Sequence, residues 1–348
     1  MPDQEVDAAS AYARATEALA GGAAGIDQLD AAAGRLQEIS PQIGPILGSS
    51  EIAAQRGTFR RCDAEAVRQQ QDLFTEATRA NLCLLAAAML SSLVLAAPAI
   101  EGLLGPVWTP RLLLAIGLLA LALGAAAALY GYRARESNRL KRWLNMRGRA
   151  EVARIAVFRA LTSRAAAGPV AATCALALFC RHLLLEQRDW LVGRAERHRR
   201  SADRTNFAGG LATALTFLGG SAATIAAFQD RLGWLALAGV AGTAVMAYAL
   251  NREDLRRDRA NADRYEEKAV ALDQLSTRID EVVADIAAGR TAALTAFVDA
   301  VTAELEAEHK QWLDGTAQVE AALAGLDARL QQLREARPGD GREPVRPG

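Results

Sequence analysis

The sequence predicts an all-α integral membrane protein: two transmembrane helical hairpins, with long cytoplasmic helices forming a helical bundle. Three observations predict it. Four apolar stretches, 81–100, 111–132, 207–228 and 232–250, each hold about 20 residues, which at about 1.5 Å per residue match a hydrocarbon core of about 30 Å. Basic residues crowd only the outer ends of each pair of stretches. The same order of features occurs twice along the chain.

The N-terminal segment, 1–59, begins with an acidic opening, MPDQEVDAAS, and its first long apolar run comes only about 80 residues in, so no cleavable signal peptide is expected. Its alanine-rich 6–20 is helix-prone and ends at Gly21 and Gly22. Ser40-Pro41 and Gly44-Pro45 mark a loop before the first hairpin unit.

The first unit, 60–164, carries stretches 81–100 and 111–132. Arg68 and Arg79 precede the pair and Arg133, Arg135, Arg139, Lys141 and Arg142 follow it, whereas the intervening loop holds Glu101 and no base before Arg111. The second unit, 186–315, repeats this. Arg194, Arg197, Arg199, Arg200 and Arg204 lead in, Arg252, Arg256, Arg257 and Arg259 lead out, and the turn between holds Arg231 against Asp230. Positive residues stay on the cytoplasmic side, so both hairpins dip out of the cytoplasm and return, leaving the two termini and the connector inside. A soluble bundle with four buried helices is the competing reading, but soluble core helices ordinarily carry a charged face.

The repeat extends beyond the hairpins. Arg79-Ala80-Asn81 and Arg204-Thr205-Asn206 open the two units 125 residues apart. Trp143, Arg147, Ala150 and Glu151 follow the first hairpin as Tyr265, Lys268 and Ala269 follow the second. No proline interrupts 133–161 or 251–288, so the flanking helices are expected to run on continuously from the spans.

Between the units, 165–185 includes the apolar run AAAGPVAATCALALF. At about 15 residues it reaches only about 22 Å, it contains Gly168-Pro169, and a crossing there inverts the second hairpin. A cytoplasmic helix or buried connector is expected. After residue 315, 316–336 forms a C-terminal amphipathic helix in which Val319, Leu323, Leu326, Leu330 and Leu333 make the seam of a short coiled coil, packing on this chain or on another copy. Residues 337–348 are rich in proline and glycine and are expected to be disordered.

Charge and residue chemistry narrow the function classes. The 40 basic and 40 acidic residues of this 348-residue chain cancel overall but segregate, with bases at the membrane edge and acids such as Asp280, Glu281, Asp285, Asp299, Glu304 and Glu306 in the distal helices. A basic collar beside an anionic leaflet is favourable by about 1 kcal/mol per residue, and topology already accounts for it, so no nucleic-acid partner is expected. Cys62, Cys83, Cys174 and Cys180 have no metal-like or disulfide-like spacing, and His182, His198 and His309 stand apart from one another; no metal and no cofactor are expected. The spans hold no carboxylate, histidine or lysine, only hydroxyls such as Thr213 and Thr216, which disfavours coupled transport. Nothing resembles a phosphate loop or a catalytic dyad, so no enzyme activity is expected.

Two sets of residues stand out. Gly209, Gly210, Gly219 and Gly220 in the third stretch, with Gly239 and Gly242 in the fourth, allow close backbone approach. They either pack the two arms of one hairpin or also join subunits of a homo-oligomer around a weakly polar pore. The second set is juxtamembrane: Trp143, Arg147, Trp190, Arg194, Arg197 and Tyr265. Trp143 and Trp190 suit a helical core, while Arg194 and Arg197 after Trp190 leave a phosphate site open.

The run LLLEQRDWLVGRAERHRRSADRTNF, followed by a hairpin and by DRYEEKAVALDQLSTRI and TAFVDAVTAELEAEHKQWL, resembles the SLATT family of two-transmembrane effector domains associated with nucleotide-second-messenger synthases and nucleotide-sensing domains in bacteria. The part from about residue 60 to 161 resembles a divergent second copy, giving a tandem four-span form. The resemblance implies a multi-pass effector in the bacterial inner membrane, part of an anti-phage or conflict system, that oligomerises and forms a pore or perturbs the membrane when a nucleotide signal or a cytoplasmic sensor partner triggers it. A non-enzymatic scaffold recruiting a cytoplasmic partner through its helical bundle is the alternative.

Overall fold

The computed structural model describes residues 7–95, 105–136, 139–224 and 229–314, and among them it contains helices and no strand. In chain order these are α1 (Ala8–Ala20), a 3₁₀ turn (Ile26–Gln28), α2 (Leu29–Leu36), α3 (Ile43–Leu47), α4 (Ser50–Leu95), α5 (Thr109–Glu136), α6 (Arg139–Ala165), α7 (Pro169–Phe179), a π turn (Cys180–Leu184), α8 (Leu185–Thr224), α9 (Gln229–Arg256), α10 (Asp258–Ser276), α11 (Ile279–Ala287) and α12 (Ala292–Asp314). Gly44-Pro45, expected in a loop, lies inside the five-residue α3. The coiled-coil seam and the terminal tail fall outside the described residues, as do the ends of the first and third apolar stretches.

Two compact units emerge, and they interleave along the chain. One comprises 1–70, 141–199 and 259–315; the other comprises 71–140, 200–258 and 316–348. All four long apolar stretches fall in the second unit.

The first unit is built around α7. Gly168 caps it in an extended conformation and Pro169 occupies its first turn, where a missing N–H costs nothing and φ is already helical. No polar face follows. Residues 171–179 are all buried, and a helix apolar all round requires cover on every side. The cover comes from α1, α2, α3, α11 and α12, with Phe179 edge-on to Phe158 at 5.9 Å and to Phe297 at 6.1 Å. Polar pins close the same unit. Arg181 donates to the Gly22 carbonyl at 2.9 Å, and Arg56 donates two hydrogen bonds to Asp30 at 2.5 and 2.7 Å, the planar fork matching both carboxylate oxygens.

The second unit has the opposite character, with its large apolar side chains outward. Three helical stretches are long and apolar enough to cross a membrane: Ser50–Val94, Thr109–Ala165 and Pro169–Gly219. The apolar windows of the first two are 28% and 6% buried, so most of their side chains face whatever surrounds the protein. In the third the share is 72%, and burial along that helix concentrates in α7 and the π turn. The fourth expected stretch, 232–250, lies in α9, which is not among the three.

The expectation of unbroken helices across 251–288 is corrected. The helix stops at Arg256, Arg257 takes φ 49°, and α10 starts at Asp258; a second break falls at 277–278, between α10 and α11. Neither proline nor glycine causes the first. Within the second unit, the buried Asp258 carboxylate accepts from Ser201 Oγ, which in turn accepts from Arg252 at 3.0 Å, and these side-chain bonds hold the residue after the break. The corresponding point after α5, 137–138, lies outside the described residues.

Candidate functional site

The glycines and threonines of the third apolar stretch resolve into two faces of α8. On one face Ala202, Thr205, Ala212 and Gly219 are buried, with Gly209 and Thr216 half-buried between them. The spacing runs three, four, three, four, three, which keeps a seam of small side chains facing one neighbour. That neighbour is α9. A Cβ on Gly242 would fall 2.5 Å from the Ala212 carbonyl oxygen and 2.7 Å from Thr216 Oγ1, so the two backbones meet where only hydrogen fits. One turn further, a Cβ on Gly209 would make ordinary contact with Met246 Sδ at 3.8 Å.

Gly210 and Thr213 lie on the other face. Both are exposed, and a Cβ on Gly210 would meet nothing within 4 Å. The expected glycine set is therefore split: Gly209, Thr216, Gly219 and Gly242 lie on the packed sides of α8 and α9, and Gly210 and Thr213 are left outside the seam. Gly239 is half-buried and its carbonyl accepts from Thr243 Oγ1 at 3.0 Å. Gly220 lies within α8. Thr213 and Thr216 return their hydroxyls to the carbonyls of Gly209 and Ala212, each at 2.9 Å, which satisfies the polar atom without a partner helix.

The juxtamembrane residues gather in the first unit. Trp190 on α8 meets Tyr265 on α10 edge to face, with ring centroids 5.7 Å apart, and the His198 ring lies 5.6 Å from the same tyrosine. Guanidinium groups cover the indole: Arg194 at 5.1 Å and Arg147 at 6.0 Å from its centroid. Arg264 lies over Tyr265 at 5.2 Å. Such contacts add about 0.5–2 kcal/mol each according to their exposure. Arg147 is also held by Asp63 at 3.0 Å and Glu151 at 2.6 Å, carboxylates that fix it from α4 and from its own helix.

Arg194 is different. Its Nε is buried and has no hydrogen-bond partner among the described residues. Burial lowers the proton affinity of the guanidinium, Arg197 adds repulsion, Tyr265 works in the opposite sense, and Arg147 adds further repulsion. Arg197 itself is exposed. Trp143 is buried on α6. The structure thus brings Arg147, Trp190, Arg194 and Tyr265 together as an aromatic clasp with a cationic rim, whose rings are 75 positions apart in the chain. No group of three or more His, Cys, Asp or Glu side chains suited to a metal ion occurs among the described residues, and Cys62, Cys174 and Cys180 are buried free thiols.

No family model, no curated protein and no solved structure matches this chain. Residues 81, 201, 248, 252 and 258 also converge in the second unit, and nothing in the sequence alone joined them. There Asn251 Nδ2 donates to Asn81 Oδ1 at 3.3 Å.

Proposed function

We propose that this chain is a non-enzymatic effector of the bacterial inner membrane. It crosses the bilayer four times as two hairpins with both termini cytoplasmic, and it oligomerises to form a pore or perturb the membrane when a nucleotide signal or sensor partner engages it. The observation that carries the membrane part is the outward placement of large apolar side chains on the hairpin unit: Leu114, Phe207 and Phe217 are 65%, 75% and 72% exposed. Their transfer from water to hydrocarbon is favourable by about 25 cal/mol per Å², while the small-residue seam keeps the hairpin closed without them. The exposed face of α8 carrying Gly210, Thr213 and Phe217 supports an oligomer contact. The SLATT-like order of features supports the defence setting and the trigger.

Induced expression tests the reading. Growth arrest with loss of membrane potential, reported by a voltage-sensitive dye and abolished by Gly242→Leu at equal protein level, is expected. Harmless accumulation in the membrane, with a defined cytoplasmic protein co-purifying, establishes the scaffold instead.

A further inference from the structure

The first unit contains an open groove of about 630 Å³ between α4, at Gln55 and Thr58, and the part of α6 from Lys141 to Ala153. On α6 it is lined at 141, 144, 145, 148, 149 and 152, spacings of three and four that place these positions on one helix face, about 18 Å long at about 1.5 Å per residue. Leu144 and Val152 give it apolar surface. Gly148 adds no side chain to the wall, although glycine inside a helix costs about 0.5–1 kcal/mol relative to alanine. Val152 is 67% exposed, and because its unit holds none of the four long apolar stretches, lipid does not account for that. The Thr58 hydroxyl is already satisfied, donating to the Ala54 carbonyl at 3.0 Å and accepting from Arg61 at 3.4 Å. Lys141 and Arg149 are exposed, and no acidic side chain lines the groove.

We infer that this groove receives the C-terminal segment 316–336 of a second copy of the chain, laid in as a third helix. Length agrees: the seam from Val319 through Leu323, Leu326 and Leu330 to Leu333 spans about 21 Å as a helix, and the gap between two helices offers holes for such knobs. Charge agrees as well. Glu320 and Asp327 each follow a seam residue and are seven positions apart, so they stand on one edge of the seam about 10 Å from each other. Lys141 and Arg149, eight positions apart on α6, are separated by about 12 Å. The segment's own bases, Arg329 and Arg334, come after both carboxylates. Residues 316–348 group with the other compact unit, whereas the groove belongs wholly to the first, and the occupant therefore comes from another copy. The inference rests on the oligomeric part of the reading proposed above and deepens it by naming a contact; it needs neither pore nor trigger.

The test uses the full chain in neutral detergent, with Cys83→Ala throughout, since the other three native thiols are buried. Light scattering comes first: a monomeric mass overturns the oligomeric reading, and the groove contact with it. Differently tagged chains carrying Val152→Cys and Leu326→Cys are then co-expressed and treated with a short bis-maleimide. A covalent pair joining the two tags is expected. Its yield should fall about fivefold, the order expected for two exposed ion pairs turned to repulsion, when Lys141→Glu and Arg149→Glu are added to the first chain. It should return when Glu320→Lys and Asp327→Lys are added to the second, and that return also shows that the charge-reversed chains fold. An oligomer without the covalent pair, a yield that ignores the reversal, or one that the swap does not restore overturns the groove contact alone. A link that forms only when both cysteines share one chain overturns the second copy as the source of the segment.

Discussion

Thr216 Oγ1 lies 2.7 Å from the point a Cβ on Gly242 would occupy. Since the Ala212 carbonyl oxygen is nearer still, at 2.5 Å, an alanine at 242 forces α8 and α9 apart. Gly242→Ala is expected to destabilise the detergent-solubilised protein by about 1–3 kcal/mol, the usual cost of overpacking, read as a lower thermal midpoint. Gly210→Ala, with open space at its Cβ, is the control and should leave the midpoint unchanged or slightly raised.

Gly210, Thr213 and Phe217 separate hairpin closure from assembly. Gly210→Leu with Thr213→Leu adds bulk to the exposed face without entering the seam. If subunits meet there, the detergent-corrected mass from light scattering falls while helix content is kept; an unchanged mass removes this face from the interface.

Phe217 stands near the middle of the third apolar stretch and is largely exposed. In a bilayer, Phe217→Lys places a charge against lipid at a cost of about 2.5–3.5 kcal/mol on insertion scales. The membrane-integrated fraction in a glycosylation-reporter assay should drop accordingly. In a water-soluble bundle the same change improves solubility.

Trp190 is wedged between Tyr265 and Arg194 and packs on the main core. Trp190→Ala removes a half-buried indole and its cation contacts, and should cost about 2 kcal/mol, while Trp190→Phe keeps the edge-to-face geometry and should cost less than half of that. Chemical unfolding followed by circular dichroism distinguishes the two.

Acid sensitivity follows from Asp30. The paired hydrogen bonds from Arg56 hold its carboxyl below the ordinary value, against a smaller opposing effect of burial. The native state therefore binds fewer protons at this site than the unfolded chain, and the stabilisation is present above the ordinary pKa of about 3.9 and lost as pH falls through the lowered one. Because the Asp30 side chain is 70% exposed, solvent screening limits the effect to about 1 kcal/mol. Asp30→Asn should lower the unfolding midpoint at pH 7 and converge with the parent as the pH falls through the lowered pKa of the carboxyl.

The four apolar stretches were legible because composition alone marks them, and all four fall in the unit formed by 71–140, 200–258 and 316–348, whereas the repeated order of features grouped them as successive units, 60–164 and 186–315; a repeat along the chain does not say which segments pack together. Which glycines meet a neighbour was not legible, since Gly209 and Gly210 are adjacent and chemically identical, and only the position of α9 divides them. The break at Arg257 was hidden for a related reason. A non-glycine residue at φ 49° has no signature in its own side chain, and the Ser201 and Asp258 hydroxyl–carboxylate bond that accompanies it spans 57 positions. Trp190 and Arg194 were visible as neighbours on one helix face, but their meeting with Tyr265 and Arg147 required the fold.

The greasy α7 poses a problem of timing during synthesis. In the four-span topology proposed above, a ribosome releasing 169–184 exposes a segment that insertion machinery can mistake for a membrane anchor, and an insertion there would reverse the orientation of everything after it. Helices α1, α2 and α3, which cover α7 in the finished fold, have by then been waiting since more than a hundred residues earlier. In that topology, early capture by these helices would keep the segment out of lipid, so deleting α1 should show itself first as misrouted topology rather than as reduced stability.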